Sequence, residues 1–121
     1  MRTSKIMPKF SPSSTEKLNL IHPDLRELLY EAIKFVDFIV ITGHRDEADQ
    51  NAAFEAGKST KRYPDSKHNK FPSEAVDIAP YFSDFPRIDW NDLPAFARLA
   101  GYIERIADEK GVRIRWGGDW N

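Results

Sequence analysis

The longest apolar run in this chain is Phe38-Ile39-Val40-Ile41. Such a run fills a short strand and falls far below the roughly 18–20 residues a membrane span needs. The interior must therefore be assembled from short pieces, each with one apolar face. Two of these have helical spacing. Leu25, Leu28, Leu29, Ala32 and Ile33 form one stripe behind Pro23, which opens a helix where its missing N–H is harmless. Leu93, Phe96, Leu99, Ala100, Ile103 and Ile106 form the other, along a helix predicted over 91–110 and capped by Gly111.

The remaining pieces are shorter. Ser13 and Glu16 offer a capping box for a helix to about Leu20. Residues 36–42 read as a buried strand broken by Gly43, and residues 46–57 as a helix with a small apolar face of Ala48, Ala52, Ala53 and Ala56, stopped by Gly57. Residues 75–79 and 112–116 read as two further strands, the last with alternating faces. The order helix, helix, strand, helix, strand, helix, strand predicts an α+β fold, with helices packed on a small, mostly antiparallel sheet in a single domain. That domain is expected over 13–121, behind a polar N-terminal arm at 1–12 that contains Pro8 and Pro12. At 121 residues, 40% of them hydrophobic, such a domain needs no covalent staples.

Composition narrows the chemistry. There is no cysteine, which excludes disulfides, Cys-ligated zinc, iron–sulfur clusters and a thiol nucleophile. Metal or acid–base work must draw on carboxylates and on His22, His44 and His68. A net charge of −1 gives no broad grip on nucleic acid or anionic membrane. Lys58, Lys61, Arg62, Lys67 and Lys70 make one basic segment, but aromatic residues are not interleaved with them, so no nucleic-acid partner is expected. That segment reads as a solvated surface or as an attraction to an anionic polymer. Arg2 and Lys5 are not followed by an apolar stretch, so no signal peptide is expected and synthesis is placed in the cytoplasm, without membrane insertion.

Three segments carry candidate chemistry. In Ser66-Lys67-His68-Asn69-Lys70-Phe71-Pro72-Ser73-Glu74-Ala75-Val76-Asp77, a loop histidine precedes a strand aspartate set between Val76 and Ile78. Imidazole and carboxylate are both zinc ligands, and a strand carboxylate among apolar neighbours needs a cation or strong hydrogen bonds if buried. On spacing alone a second reading stands: Asp77 faces solvent or a lysine, and His68 is an ordinary loop residue. Arg45 lies at a strand-to-helix turn, with Gln50 one turn into the helix. It reads either as a bidentate clamp on a carboxylate or as a surface ion pair. Arg115-Trp116-Gly117-Gly118-Asp119-Trp120 reads either as aromatic surface beside a cleft or as a core-closing turn.

Taken together and in this order, the three segments resemble the zinc peptidases that include D-alanyl-D-alanine carboxypeptidases and dipeptidases and the L-alanyl-D-glutamate endopeptidases of phage endolysins. Ser66, His68, Ala75 and Asp77 are similar to the family's Ser-x-His-(spacer)-Ala-x-Asp signature. Gly43, Arg45 and Gln50 match its Gly-x-Arg-(x)4-Gln element, and residues 116–120 its Trp-Gly-Gly-Asp-Trp element. His22-Pro23-Asp24-Leu25 opening a helix looks like the endolysin branch. The resemblance covers about residues 13–121 and is specific because three motifs occur in order.

It implies that His68 and Asp77 ligate zinc, that Arg45 contacts substrate near the scissile bond, and that Ser66 binds substrate or orients the His68 loop. Trp116 is placed with the substrate-binding residues. The implied reaction is hydrolysis of a bond in the peptidoglycan stem peptide, the L-alanyl-D-glutamate bond in the endolysin branch, by a zinc-activated water. Action on the bacterial cell wall after phage-type release would follow. A D-alanyl-D-alanine carboxypeptidase and a non-catalytic peptidoglycan-binding relative are the alternatives, and a role in virion assembly is a further one.

Two departures from the family pattern stand out. The spacer between His68 and Asp77 is about two residues longer than the common form, an excess a loop absorbs if its ends stay fixed. The family's general base and third zinc ligand follow the Trp-Gly-Gly-Asp-Trp element, so they are expected after Asn121, and the domain is read as lacking its C-terminal end. His44 is expected to point away from the side that Arg45 faces, and His22 to cap a helix, so neither is expected to complete the site. Asp119 reads as a turn residue rather than a base or ligand.

Overall fold

The computed structural model of the chain describes residues 8–116. Among them run α1 (Pro12–Leu18), α2 (Pro23–Ala32), β1 (Phe38–Thr42), α3 (Glu47–Glu55), one turn of 3-10 helix at Lys67–Asn69, β2 (Asp77–Pro80) and α4 (Leu93–Lys110). The two strands form one small antiparallel sheet. Just past their ends, the Tyr81 N–H donates to the Asp37 carbonyl at 3.2 Å. The expected α+β class therefore holds, with four helices and two strands rather than three. Residues 1–7 of the predicted arm and the Gly117-Gly118-Asp119-Trp120 part of the aromatic element lie outside the described residues.

Within the domain two compact units are distinguished, one containing Glu27–Ile39 and the segment from Ala79 onward, the other Ser11–Arg26 and Val40–Ile78. The first is built on apolar side chains. Leu28, Leu29, Ala32, Ile33, Phe38 and Ala79 are buried with Leu99, Ala100, Ile103, Ile106 and Ala107 of α4. The predicted stripe of α4 is thus the core stripe, except that Leu93 stays 71% exposed at the helix start. Asp92 caps that start by accepting from the Ala95 N–H, and Gly111 ends the helix at φ 71°, a left-handed conformation that glycine adopts without strain. Phe10 packs edge-on against Tyr30 and Phe38. Val112, Ile114 and Trp116 are half-buried in alternation with exposed Arg113 and Arg115, but they are not in a strand. The period-2 pattern predicted there is real. No strand ladder accompanies it among the described residues, and a strand needs that ladder.

The second unit begins at α1. Its cap is Ser11, whose hydroxyl accepts from the Ser14 N–H at 3.1 Å, and Pro12 occupies the first turn. The helix therefore starts earlier than the Ser13–Glu16 box predicts, because Ser-Pro is a stronger start signal at that point. Ser14 turns inward instead, where its Oγ accepts from the Val40 N–H at 3.1 Å. Lys17 Nζ donates to the Val40 carbonyl at 3.4 Å. Both backbone groups of Val40 are thus occupied by α1, which covers that edge of β1 with a helix rather than a third strand.

His22 caps α2, its Nδ1 accepting from the Asp24 N–H at 3.1 Å. Helix α3 departs from its predicted face. Ala48, Ala52 and Ala56 are exposed, and the residue it buries completely is Gln50. Its end is as expected. Gly57 at φ 75° follows the last turn, with Gly57 N–H donating to Phe54 O and Lys58 N–H to Ala53 O, the paired bonds of a Schellman stop.

Candidate active site

The second unit gathers four of the predicted site residues around the end of β1. Strand β1 delivers Gly43 and then Arg45. Gly43 sits so close to α1 that an added Cβ would lie 3.0 Å from the Lys17 carbonyl oxygen and 3.1 Å from Ile21. Its own carbonyl is 2.7 Å from His68 Nδ1. Glycine is needed here for close approach, not only to break the strand.

His68 is carried by the 3-10 turn, which Ser66 and Asn69 cap reciprocally. Ser66 Oγ accepts from the His68 N–H at 3.2 Å, and Asn69 Oδ1 accepts from the Ser66 N–H at 3.0 Å. The Arg45 N–H donates to the His68 carbonyl at 2.9 Å, which fixes the turn against the residue leaving β1. The long spacer is absorbed outward. Glu74 N–H bonds to Lys67 O, Ser73 is fully buried and bonds Leu20 O and His22 N–H through its backbone, and Phe71 is left 70% exposed. Both ends of the loop are thereby fixed, and the extra residues stand in solvent.

These supports bring His68 Nε2 within 3.5 Å of Asp77 Oδ2. Arg45 Nη2 lies 3.4 Å from the same oxygen. Asp77 is the first residue of β2 and its side chain is half-exposed, not sealed among Val76 and Ile78. Burial pushes its pKa up. The hydrogen bond to His68, the charges of His68 and Arg45, and a hydrogen bond from Thr42 outweigh that and hold the carboxyl below the usual range. Arg45 is not a surface ion pair. Its side chain is largely buried, and Nη1 donates to Gln50 Oε1 at 3.2 Å.

The donor chemistry suits a cation. A carbonyl only accepts, so the proton of the His68 ring must be on Nδ1, facing Gly43. In the neutral ring, Nε2 then presents a lone pair toward a carboxylate oxygen. Two acceptors face one another, and a proton or a metal ion between them removes the conflict. A backbone carbonyl that fixes the opposite ring nitrogen is the usual support of a metal-ligating histidine. Among the described residues no group of three or more His, Cys, Asp or Glu side chains gathers in reach of one ion. His44 packs edge-on against Phe71, and His22 is occupied at its helix cap.

The comparisons with known proteins bear on the whole chain. The family model for the phage L-alanyl-D-glutamate peptidase matches residues 6–121. The chain belongs to that family. An L-alanyl-D-glutamate peptidase of Escherichia phage T5 is 33% identical over 115 residues, covering 93% of this chain and 82% of the relative. The crystal structure of the Serratia marcescens L-Ala D-Glu endopeptidase ChiX superposes with a TM-score of 0.79 at 29% identity, over 98% of this chain and 86% of that one. The chain is thus a peptidase of the phage L-alanyl-D-glutamate family, and the residues its sequence singles out must be weighed as a hydrolase site.

Arg45, Ser66, His68 and Asp77 are brought together within one unit. Trp116 belongs to the other, where it lines a hollow of about 410 Å3 with Glu104, Asp108, Val112 and Ile114. Asn69 and Ser73 escaped the sequence reading as contributors. A Ser-x-x-Asn spacing at 66–69 was the available signal for Asn69, since it mimics a capping box. Ser73 had none, because its role is to bond backbone brought in from Leu20 and His22.

Proposed function

We propose that this peptidase hydrolyses the L-alanyl-D-glutamate bond of the peptidoglycan stem peptide with zinc held by His68 and Asp77. The observation that carries the reading is that His68 Nε2 and Asp77 Oδ2 stand 3.5 Å apart, with the other ring nitrogen fixed from behind by the Gly43 carbonyl. When bound, zinc would polarise the scissile carbonyl and activate water for attack. Asp77 brings a half-exposed carboxylate, ionised at neutral pH as aspartates ordinarily are, as the second ligand. Arg45 offers a guanidinium oriented by Gln50 and Asp77, suited to a carboxylate or carbonyl oxygen of the substrate near the scissile bond. Ser66 caps the turn and so aims His68.

The test is digestion of purified peptidoglycan by the full chain with zinc, after chelation, and after zinc is restored. New D-glutamate amino termini that vanish with chelator and return with zinc are the expected result. Release of terminal D-alanine would instead make it a carboxypeptidase. Chelator-resistant binding to peptidoglycan without new termini at any zinc concentration would make it a binding module.

A further inference from the structure

Gln50 is fully buried on a helix whose other side chains mostly face solvent. Every hydrogen-bonding arm of its amide is engaged. Oε1 accepts from Arg45 Nη1 and from Asn69 Nδ2, each at 3.2 Å. Nε2 donates to Ser59 Oγ at 3.0 Å and to the Lys61 carbonyl at 2.6 Å. Asn69 Nδ2 also donates to the Arg45 carbonyl at 3.1 Å, so the arginine is held at its backbone and at its guanidinium by one connected pair of amides. Asn69 in turn caps the turn that carries His68.

The consequence lies in how Arg45 meets Asp77. A free arginine beside a carboxylate closes a bidentate fork, with two parallel N–H···O bonds. Here only Nη2 approaches Asp77, at a long 3.4 Å, because Nη1 is taken by Gln50. We infer that Gln50, supported by Asn69, is the positioning residue that holds the Arg45 guanidinium off Asp77 and presents it to the substrate. This rests on the reading of Arg45 as a substrate contact. Without Gln50 the guanidinium would rotate onto Asp77, occupying the carboxylate and withdrawing from the substrate.

A double-mutant cycle tests it, with Gln50→Met, Arg45→Ala and the pair, on the full chain with zinc. Two readouts are taken: kcat/KM on purified stem peptide and the calorimetric Kd for that peptide. If Gln50 acts through Arg45, Gln50→Met lowers kcat/KM by about 30-fold in the unaltered background and by less than about twofold beside Arg45→Ala. Nuclear magnetic resonance gives an activity-independent measure: separate, slowly rotating Nη resonances of Arg45 in the unaltered chain that average together in Gln50→Met.

Equal losses from Gln50→Met in both backgrounds would mean that Gln50 only supports the fold, and this inference would fail alone. No effect of Arg45→Ala on either readout would overturn the substrate role of Arg45 and, with it, this inference. If Gln50→Met does not fold, Asn69→Ala enters the same cycle. It removes three bonds, two to Arg45 and Gln50 and one that accepts from the Ser66 N–H and caps the turn, so the larger part of its loss must vanish beside Arg45→Ala, and a loss that persists in full there overturns the inference.

Discussion

Among the described residues, the side chains buried in the unit that carries α4 are all apolar, whereas the unit that carries Arg45 and His68 buries Ser14, Gln50, Ser66, His68 and Ser73 beside Leu18, Ile21 and Val40. The first kind of interior is held by area, about 25 cal/mol for each Å2 removed from water, and is insensitive to direction. The second is held by hydrogen bonds, each worth only about 1 kcal/mol net but costing about 1–3 kcal/mol when one partner is removed. No buried side-chain nitrogen or oxygen among the described residues is left without a partner. A polar interior is therefore a weak source of stability and a strict source of geometry. The unit that carries α4 supplies stability, and the polar unit supplies fixed directions to the side chains of the proposed site.

The largest effect expected from breaking this division is catalytic. His68→Ala should lower kcat/KM on peptidoglycan by about 10^3-fold or more, equivalent to roughly 4 kcal/mol of transition-state stabilisation. It should also abolish stoichiometric zinc uptake, measured by metal analysis after dialysis. The melting temperature should move far less than the rate, because in the proposed function His68 serves as a ligand more than as a packing element. Retention of zinc at one equivalent by the variant would remove His68 from the metal site.

Leu99→Ala tests the other half. Leu99 is fully buried on α4, and truncation should destabilise the chain by about 2–5 kcal/mol in denaturant titrations. Activity per folded molecule should stay within about twofold at low temperature. A loss of kcat that exceeded the loss of folded protein would show that the two interiors are not separable in function.

Gly43→Ala sits between these extremes, since Gly43 is packed against α1 and also holds His68. The added methyl must displace the Lys17 backbone or Ile21, at a cost of about 1–3 kcal/mol. Movement of the Gly43 carbonyl should lower zinc affinity by about 10–100-fold, as loss of an outer support of a ligating histidine does. Competition with a chromogenic chelator measures this. Stability lost with zinc affinity unchanged would confine Gly43 to packing.

How much of this could be read from the sequence divides along the same line. The apolar unit was legible. Helical spacing gave the core stripes of α2 and α4, and Gly111 gave the end of α4, because periodicity reports which face is dry. Four of the five residues singled out, Arg45, Ser66, His68 and Asp77 but not Trp116, come together within one unit, while the bonds that hold them were not legible. The α3 alanines suggested an apolar face that solvent covers, and Gln50, with no apolar signal, proved to be the inward residue. Polar interiors leave no period in a sequence, since each bond depends on a partner brought from elsewhere in the chain. The Val112–Trp116 alternation failed as a strand for a related reason: period 2 reports faces, and pairing depends on a neighbour.

The smallest effect concerns two carboxylates with opposite shifts, one in each unit. Asp77, among hydrogen-bonding and cationic partners, titrates below the usual range, so its contribution to stability is present above the ordinary carboxylate pKa and is lost as pH falls through the lowered value. Asp37 stands beside Phe38 in the apolar unit. Burial raises its pKa, and a hydrogen bond from the Phe38 N–H only partly opposes this. A raised carboxyl binds its proton more tightly in the folded chain, so the sign reverses. Stability is unaffected below the ordinary value of 3.8 and falls as pH rises through the folded pKa. Asp37→Asn keeps an acceptor for Phe38 and removes the charge. It should raise the melting temperature at pH 7 by about 1 °C, partial exposure screening most of the penalty, with no gain near pH 3. A lower melting temperature at pH 7 than at pH 3, relative to the unaltered chain at each pH, would mean that the Asp37 carboxylate makes a favourable contact when ionised, and the apolar unit would then share the polar logic of its neighbour.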